Sequence, residues 1–160
     1  MDYLFDVDGT LLDITHRLKF IQKKPRDWGA FRDPIQKRWD GPIIPIMNIF
    51  NALLIAGHTT IIVSARTKDE EEDTRKTLVQ WIPGMLDYNP EFEDYKIPMY
   101  LRSNRDFRSD AIVKAEILDT IRMDGYKPEM VFDDRPKVIN MWHKQGLVVG
   151  DVRDPVKGEF

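Results

Sequence analysis

The sequence predicts an α/β fold: a parallel sheet of about five strands with helices on both faces. Short apolar, β-branched runs alternate along the 160 residues with longer stretches of helical spacing, the order expected of β-α-β units. The apolar runs are nearly continuous rather than alternating, as in strands buried on both faces. The polar clusters fall where those runs end, and parallel sheets bind ligands at the C-terminal ends of their strands.

The first run, residues 2–7, is interrupted by a carboxylate at Asp6 and stopped by Gly9. A buried carboxylate is costly unless something compensates it. Asp6 and Asp8 face one side of an extended strand, or straddle its exit into a loop. They repel each other, so a cation is their natural third party. One reading is an Asp nucleophile with an acid/base Asp beside Mg²⁺. The other is a strand ending in an Asp-Gly turn, with Asp8 as a turn residue. This stretch alone supports both.

Residues 13–42 lack a clean period of either kind, although Ile14 to Lys24 reads as a short helix ended by Pro25. Between Arg17 and Trp39, eight Lys/Arg stand against two acids, Asp27 and Asp33. That segment carries about +6 in a chain of net charge −3, so the remainder is about −9 and the basic segment suggests an anionic partner. Phe20, Trp28, Phe31 and Trp39 interleave with these cations. Aromatics beside Lys/Arg can stack bases and hold phosphates. They would equally pack a small subdomain onto the core, and the two readings are not exclusive.

Ile43 to Ala56 has helical spacing and ends at Gly57. Thr59 to Val63 is the second strand, followed by Ser64-Ala65-Arg66-Thr67. Lys68 to Trp81 reads as a polar helix closed by Pro83-Gly84; its acidic start, Asp69 to Asp73, suits a helix N-terminus and forms a solvated face. Residues 85–96 are loop-like. Ile97 to Leu101 is a third strand near the sheet edge, and Arg102 to Arg108 a basic loop. Ser109 or Asp110 caps a helix running to about Met123. Glu129 to Phe132 is the fourth strand, ending in Asp133-Asp134-Arg135. Pro136 opens a helix that Gly146 ends, and Leu147 to Val149 begins a fifth strand.

At this length one domain, residues 1–160, is expected, with 13–42 as a small cap-like insertion. No apolar run approaches the roughly 20 residues of a membrane span. The first residues read as core strand rather than a leader, so a cytoplasmic location is expected. The absence of Cys excludes disulfides, Cys-zinc sites and thiol catalysis. His16, His58 and His143 have no metal-ligand spacing, so any metal site is built from oxygen, which favours Mg²⁺ over Zn²⁺.

In chain order, Asp6-Val7-Asp8-Gly9-Thr10, Ser64, Lys114 and Asp133-Asp134 resemble the four-part pattern of the haloacid dehalogenase-like (HAD) phosphatases. The similarity is closer to the 3′-phosphatase domains of bacteriophage polynucleotide kinase/phosphatases. Arg17 follows Asp6 by eleven positions, and Ser64-Ala65-Arg66 is similar to that family's Ser-Gly-Arg. Asp110 and Lys114 stand one helical turn apart, Asp133-Asp134-Arg135 is followed by Met141-Trp142 and Gly146, and Gly158-Glu159-Phe160 ends the chain. Ala65 in place of Gly is a departure that leaves Ser64 and Arg66 intact. The resemblance covers nearly the whole chain and is weakest at 13–42 and 84–96.

It implies a HAD-type Rossmann-like sheet with only small cap insertions. Asp6 would be the nucleophile and Asp8 the acid/base. Asp6, the Asp8 backbone carbonyl and Asp133 would ligate Mg²⁺, with Asp134 acting through water or orienting a ligand. Thr10, Ser64, Lys114, Arg17 and Arg66 would bind phosphate, and Asp110 would orient Lys114. Taken singly, each residue has a plainer reading: Lys114 with Asp110 as an i,i+4 ion pair, Ser64 as a helix cap, Asp133-Asp134 as a turn, Arg17 as a solvated charge. The implied activity is Mg²⁺-dependent removal of 3′-phosphate from DNA or RNA ends, an end-repair reaction. The alternatives are a phosphatase of free nucleotides and a catalytically degenerate nucleic-acid binding module. No Gly-x-x-x-x-Gly-Lys-Ser/Thr loop occurs in these residues, so no kinase activity is expected of them. The short insertions leave the site open to a polymer end, flanked by the basic segment and by Arg102, Arg105 and Arg108. DNA versus RNA is open at this level, and a homo-oligomeric state is compatible.

Overall fold

The computed structural model describes residues 1–82 and 97–154. In chain order these form β1 (Asp2–Phe5), β2 (Leu12–Asp13), α1 (Thr15–Gln22), α2 (Trp28–Arg32), α3 (Pro34–Lys37), β3 (Gly41–Pro42) and α4 (Ile44–Ile55). There follow β4 (Thr59–Thr67), a 3₁₀ turn (Lys68–Glu70), α5 (Glu71–Leu78), β5 (Met99–Arg102), α6 (Asp110–Met123), β6 (Pro128–Asp133), α7 (Pro136–Lys144) and β7 (Val148–Asp151). The expected helix stop at Pro83-Gly84, the loop 85–96 and the terminal Gly158-Glu159-Phe160 lie outside the described residues.

Five strands form one parallel sheet in the order β5-β4-β1-β6-β7. The chain enters at the centre, builds outward through β4 and β5, then crosses back to add β6 and β7. The order therefore reverses at β1, and the crevice beyond its C-terminal end is where ligands bind in such sheets. The third predicted strand is an edge strand, as expected. Successive residues of the inner strands face opposite layers. Leu4, Ile61 and Val131 pack against α6 and α7 with Ile117, Leu118 and Trp142. Phe5, Ile62 and Phe132 pack on the other face with Met47, Phe50 and Leu78. Both layers are apolar, which is why the strands read as unbroken apolar runs.

The insertion at 13–42 resolves into structure too short to show a period. A two-residue ribbon pairs Leu12 with Pro42 and Asp13 with Gly41, joining its two ends. Ile14, Leu18 and Ile21 of this segment form their own small core with Phe31. Its one-turn helices rest on side-chain caps: Asp27 accepts from the Ala30 amide and Asp33 from the Ile35 amide, each at 2.8 Å. β4 runs further than predicted, through Thr67, because Thr67 pairs with Arg102 across an irregularity in the ladder. The polar helix accordingly starts later, behind a capping box in which Thr67 and Glu70 satisfy each other's amides. No helix among the described residues is long and apolar enough to cross a membrane.

Candidate active site

Asp6 follows directly on β1, its amide donating to the Phe132 carbonyl at 3.0 Å. Its carboxylate is buried and meets Lys114, which projects from the second turn of α6. Lys114 Nζ donates to Asp6 Oδ1 and to Asp133 Oδ2, both at 2.7 Å. Burial pushes the Asp6 pKa up to about 7; Lys114 opposes this, and the negative charges of Asp133 and Asp8 add to it. Burial disfavours the Lys114 ammonium as well, but Asp133 and Asp6 outweigh it and hold that pKa above the usual lysine range.

Asp133, at the end of β6, is fixed from three sides. Its Oδ2 also accepts from Trp142 Nε1 at 3.0 Å, and its Oδ1 from the Arg135 amide at 3.1 Å. Asp134 stands beside it with a buried Oδ1 that has no hydrogen-bond partner. Burial, then the charges of Asp6 and Asp133, push Asp134 up to about 8. Asp6, Asp133 and Asp134 each present an oxygen within 4.8 Å of the others. An all-oxygen set with one orphaned buried acceptor fits a hard divalent cation such as Mg²⁺, and these three residues are the ones that could hold it. Gly9 makes room for the cluster: it has φ +88, and a Cβ there would stand 2.2 Å from Asp134 Oδ2.

Asp8 lies in the opposite charge environment. Arg66 grips it twice, Nη2 to Oδ1 at 2.6 Å and Nε to Oδ2 at 3.0 Å, and Arg17 Nη2 adds a third contact to Oδ1 at 3.0 Å. Burial alone would raise its pKa, but Arg66 and then Arg17 hold it well below the usual carboxylate range. Behind the two guanidiniums sits Asp40, a residue that the sequence reading missed. It accepts from Arg17 Nε and Nη2, each at 2.7 Å, and from Arg66 Nη2 at 3.0 Å. The available signal was a lone acid closing a basic segment at Asp40-Gly41. Arg66 also donates to Thr74 Oγ1 at 3.1 Å, and Arg17 to the Phe31 carbonyl at 2.8 Å. Arg17 is thus fully buried, not a solvated charge.

The remaining site residues separate. Ser64 is buried on β4 and its Oγ accepts from the Arg66 amide at 3.2 Å. Thr10 is buried, its hydroxyl without a protein partner. Asp110 departs from expectation: its carboxylate oxygens take Arg102 and Arg135, while Lys114 reaches past it to Asp6 and Asp133. One helical turn brings two side chains to one face, but the deeper carboxylates sit where the ammonium ends. Arg102 differs too. It is buried and donates to the carbonyls of Ala65 (3.0 Å), Asp106 (2.9 Å) and Arg108 (2.6 Å), so it builds its loop instead of lining an opening. Arg108 is committed to Asp106 and Glu116. In the basic insertion, Lys37 turns inward to pair with Glu70. Beside Gly9 and Asp134 opens a cleft of about 910 Å³, whose walls include Asp13, Ile14, Pro42, Asp151 and Asp154.

Solved structures share this fold. A chain of the Pnkp1/Rnl/Hen1 RNA repair complex superimposes with TM-score 0.73 at 23% identity over 99% of this chain and 47% of that one. A second structure of that complex gives TM-score 0.70 at 23% identity, over 95% and 42%. The class C acid phosphatase from Bacillus anthracis gives 0.64 at 14% identity, over 96% and 66%. The chain therefore spans less than half the length of the repair-complex chains it matches. Residues 2–160 match the family described as the polynucleotide kinase PNKP phosphatase domain. With that match over nearly its whole length, and with two acids leaving the central strand into a lysine and carboxylate cluster, the chain belongs to the PNKP phosphatase-domain family of HAD phosphatases.

Proposed function

We propose that this chain is a Mg²⁺-dependent phosphomonoesterase that removes 3′-phosphate from polynucleotide ends through an aspartyl-phosphate. The observation that carries this is the division of labour between two carboxylates two residues apart. Asp6 lies among Lys114, Asp133 and Asp134, and Asp8 lies on Arg66 and Arg17. Without ligands their charges suit the chemistry poorly: Asp6 tends toward the neutral form and Asp8 is held ionised. Mg²⁺ held by Asp6, Asp133 and Asp134 would supply positive charge that lowers the Asp6 pKa and offsets the substrate's phosphate. The incoming phosphate competes with Asp8 for Arg17 and Arg66, which frees Asp8 to take a proton.

Asp6 Oδ then attacks phosphorus, and the P–O3′ bond breaks as Asp8 gives its proton to O3′. Lys114 and Ser64 donate to the phosphoryl oxygens as charge moves among them. Water attacks the aspartyl-phosphate, with its proton passing to Asp8, and releases inorganic phosphate and free Asp6. Support for a polynucleotide substrate comes from the family match and from the exposed cations and aromatics beside the site. A cysteine-free chain suits a reducing cytoplasm. A second reading, hydrolysis of free nucleotides, is favoured by the 910 Å³ cleft, which has the size of a small-molecule site.

Phosphate release from a 3′-phosphorylated oligonucleotide and from a 3′-mononucleotide, with Mg²⁺ and with EDTA, tests the proposal. Faster turnover of the oligonucleotide, abolished by EDTA and by Asp6→Asn, is the expected result. Preference for the mononucleotide transfers the function to free nucleotides. Silence on both from folded protein leaves a degenerate nucleic-acid binding module.

A further inference from the structure

Resting on that proposed function, we infer that the strand bearing the 3′ end leaves the site through a track between α2 and the 103–108 loop. Its bases stack on Trp28 and Phe107 and its phosphates meet Arg32 and Arg105. Two surface depressions are candidates for the strand, the cleft beside Gly9 and the face of the 103–108 loop, and charge separates them. Beyond Asp134 of the metal cluster, the large cleft beside Gly9 carries three carboxylates, Asp13, Asp151 and Asp154, against two guanidiniums, Arg135 and Arg153. Its net negative wall repels a phosphodiester backbone.

The surface around α2 is basic and carries aromatic faces. Six cations of the insertion, Lys19, Lys23, Lys24, Arg26, Arg32 and Arg38, remain exposed after Arg17 and Lys37 turn inward. The two acids among them are engaged as helix caps. Trp28 is 43% exposed, with the Arg26 and Arg32 guanidiniums at 5.9 and 5.7 Å from its ring centroid. α2 is tied to the catalytic arginine: Phe31 gives its carbonyl to Arg17 at 2.8 Å and its ring face to the Arg17 guanidinium at 4.7 Å. Trp28 packs edge-on against Phe31 at 5.9 Å, so it stands three contacts from Asp8, through Phe31 and Arg17.

The 103–108 loop presents Phe107, 85% exposed, and Arg105, which has no ion-pair partner among the described residues. Arg102 anchors this loop, donating to the carbonyls of Asp106 and Arg108. The rim is braced, since Asn104 accepts from the Asp69 amide at 3.0 Å and Lys37 pairs with Glu70 in the same turn. The α2 surface and the loop thus each carry an exposed aromatic and an exposed arginine outside the ion pairs of the described residues, Trp28 with Arg32 and Phe107 with Arg105. That pairing suits single-stranded DNA or RNA, in which bases and phosphates alternate.

The test measures kcat and KM on 3′-phosphorylated DNA and RNA oligonucleotides of one, two, four and eight nucleotides and on p-nitrophenyl phosphate. Wild type, Phe107→Ala, Trp28→Ala and the pair Arg32→Glu with Arg105→Glu are compared. Fluorescence anisotropy of the Asp6→Asn protein, alone and with each change, reads binding without turnover. KM for the longer oligonucleotides should rise roughly tenfold for each lost stacking face. The slope of log KM against log salt should fall by roughly 0.7 per lost phosphate contact. The nitrophenyl ester, too small to reach the track, should be turned over at the wild-type rate. Oligonucleotide turnover with no length dependence, or equal losses on the small ester, overturns the track and leaves the phosphatase assignment intact. If no oligonucleotide is hydrolysed, the phosphatase assignment fails. Anisotropy then decides the track: weakened binding in the variants upholds it, and unchanged or absent binding overturns it.

Discussion

Replacing Lys114 with Met keeps the length of the side chain and removes its charge. Lys114 is fully buried and lies 2.7 Å from both Asp6 and Asp133. Without it, Asp6, Asp133 and Asp134 are left without their facing ammonium, and the cluster replaces the lost charge by binding one more proton. A carboxyl whose ordinary value is 3.8 must then stay neutral at pH 7. That costs about 1.36 kcal/mol for each of about three pH units, or ~4 kcal/mol. The figure falls within the roughly 3–5 kcal/mol lost when one partner of a buried ion pair is removed. In a domain of this size it lowers Tm by roughly 8–16 °C. The raised folded-state pKa sets the sign. The folded variant keeps a proton that the unfolded chain releases, so its stability falls as pH rises above the ordinary carboxyl value. Its deficit against wild type should therefore shrink by about 1.36 kcal/mol for each unit between pH 7 and pH 5. Urea denaturation in EDTA at pH 5, 6 and 7 measures this. A deficit below about 1 kcal/mol at pH 7, or one that does not change with pH, refutes Lys114 as the buried counter-charge.

Three further changes probe the neighbouring groups. Gly9→Ala puts a Cβ 2.2 Å from Asp134 Oδ2 at φ +88, so it should cost about 1–2 kcal/mol in left-handed strain and displace Asp134. Thermal melts across a Mg²⁺ titration should show a smaller shift than in wild type, and an equal shift counts against Asp134 as part of the metal cluster. Trp142→Phe keeps a ring in the core but removes the donor 3.0 Å from Asp133. It should lower stability by about 1–3 kcal/mol and apparent Mg²⁺ affinity by roughly tenfold, and unaltered affinity would restrict Trp142 to packing. Asp40→Ala leaves Arg17 and Arg66 with Asp8 as their shared carboxylate. Stability should fall by about 3 kcal/mol in chloride buffer, and inorganic phosphate should restore Tm more than it raises that of wild type. Equal phosphate effects on both proteins would show that the guanidiniums do not seek a replacement anion.

Much of the architecture was legible because burial on both faces leaves a direct mark on composition. Leu4 and Phe5, Ile61 and Ile62, and Val131 and Phe132 each divide between opposite layers, so the strands had to be apolar throughout. Apart from its first helix, expected over Ile14 to Lys24 and found at Thr15–Gln22, the insertion was illegible for the converse reason. A ribbon of two-residue strands and helices of one turn, held by Asp27 and Asp33 caps, has no length over which a period can develop. Without the resemblance that assigned Arg17 to phosphate, Arg17 and Lys37 read only as members of a basic run, because no local pattern tells an arginine that its carboxylate lies 23 residues on at Asp40. Asp110 and Lys114 illustrate the same limit. Helical spacing puts them on one face, yet each finds other partners supplied by separate strands and loops.

The sequence by itself determined the α/β class, the order of its strands and helices, and the residue types delivered to the strand ends. These follow from short-range sterics and from the burial of apolar side chains, both of which act on neighbouring residues. The tertiary structure decided which charge meets which. Ion pairing in a buried site depends on distances of a few ångströms between residues far apart in the chain. The close of the fold sets those distances: it gave Lys114 to Asp6 and Asp133, Arg66 and Arg17 to Asp8, and Asp40 to both arginines.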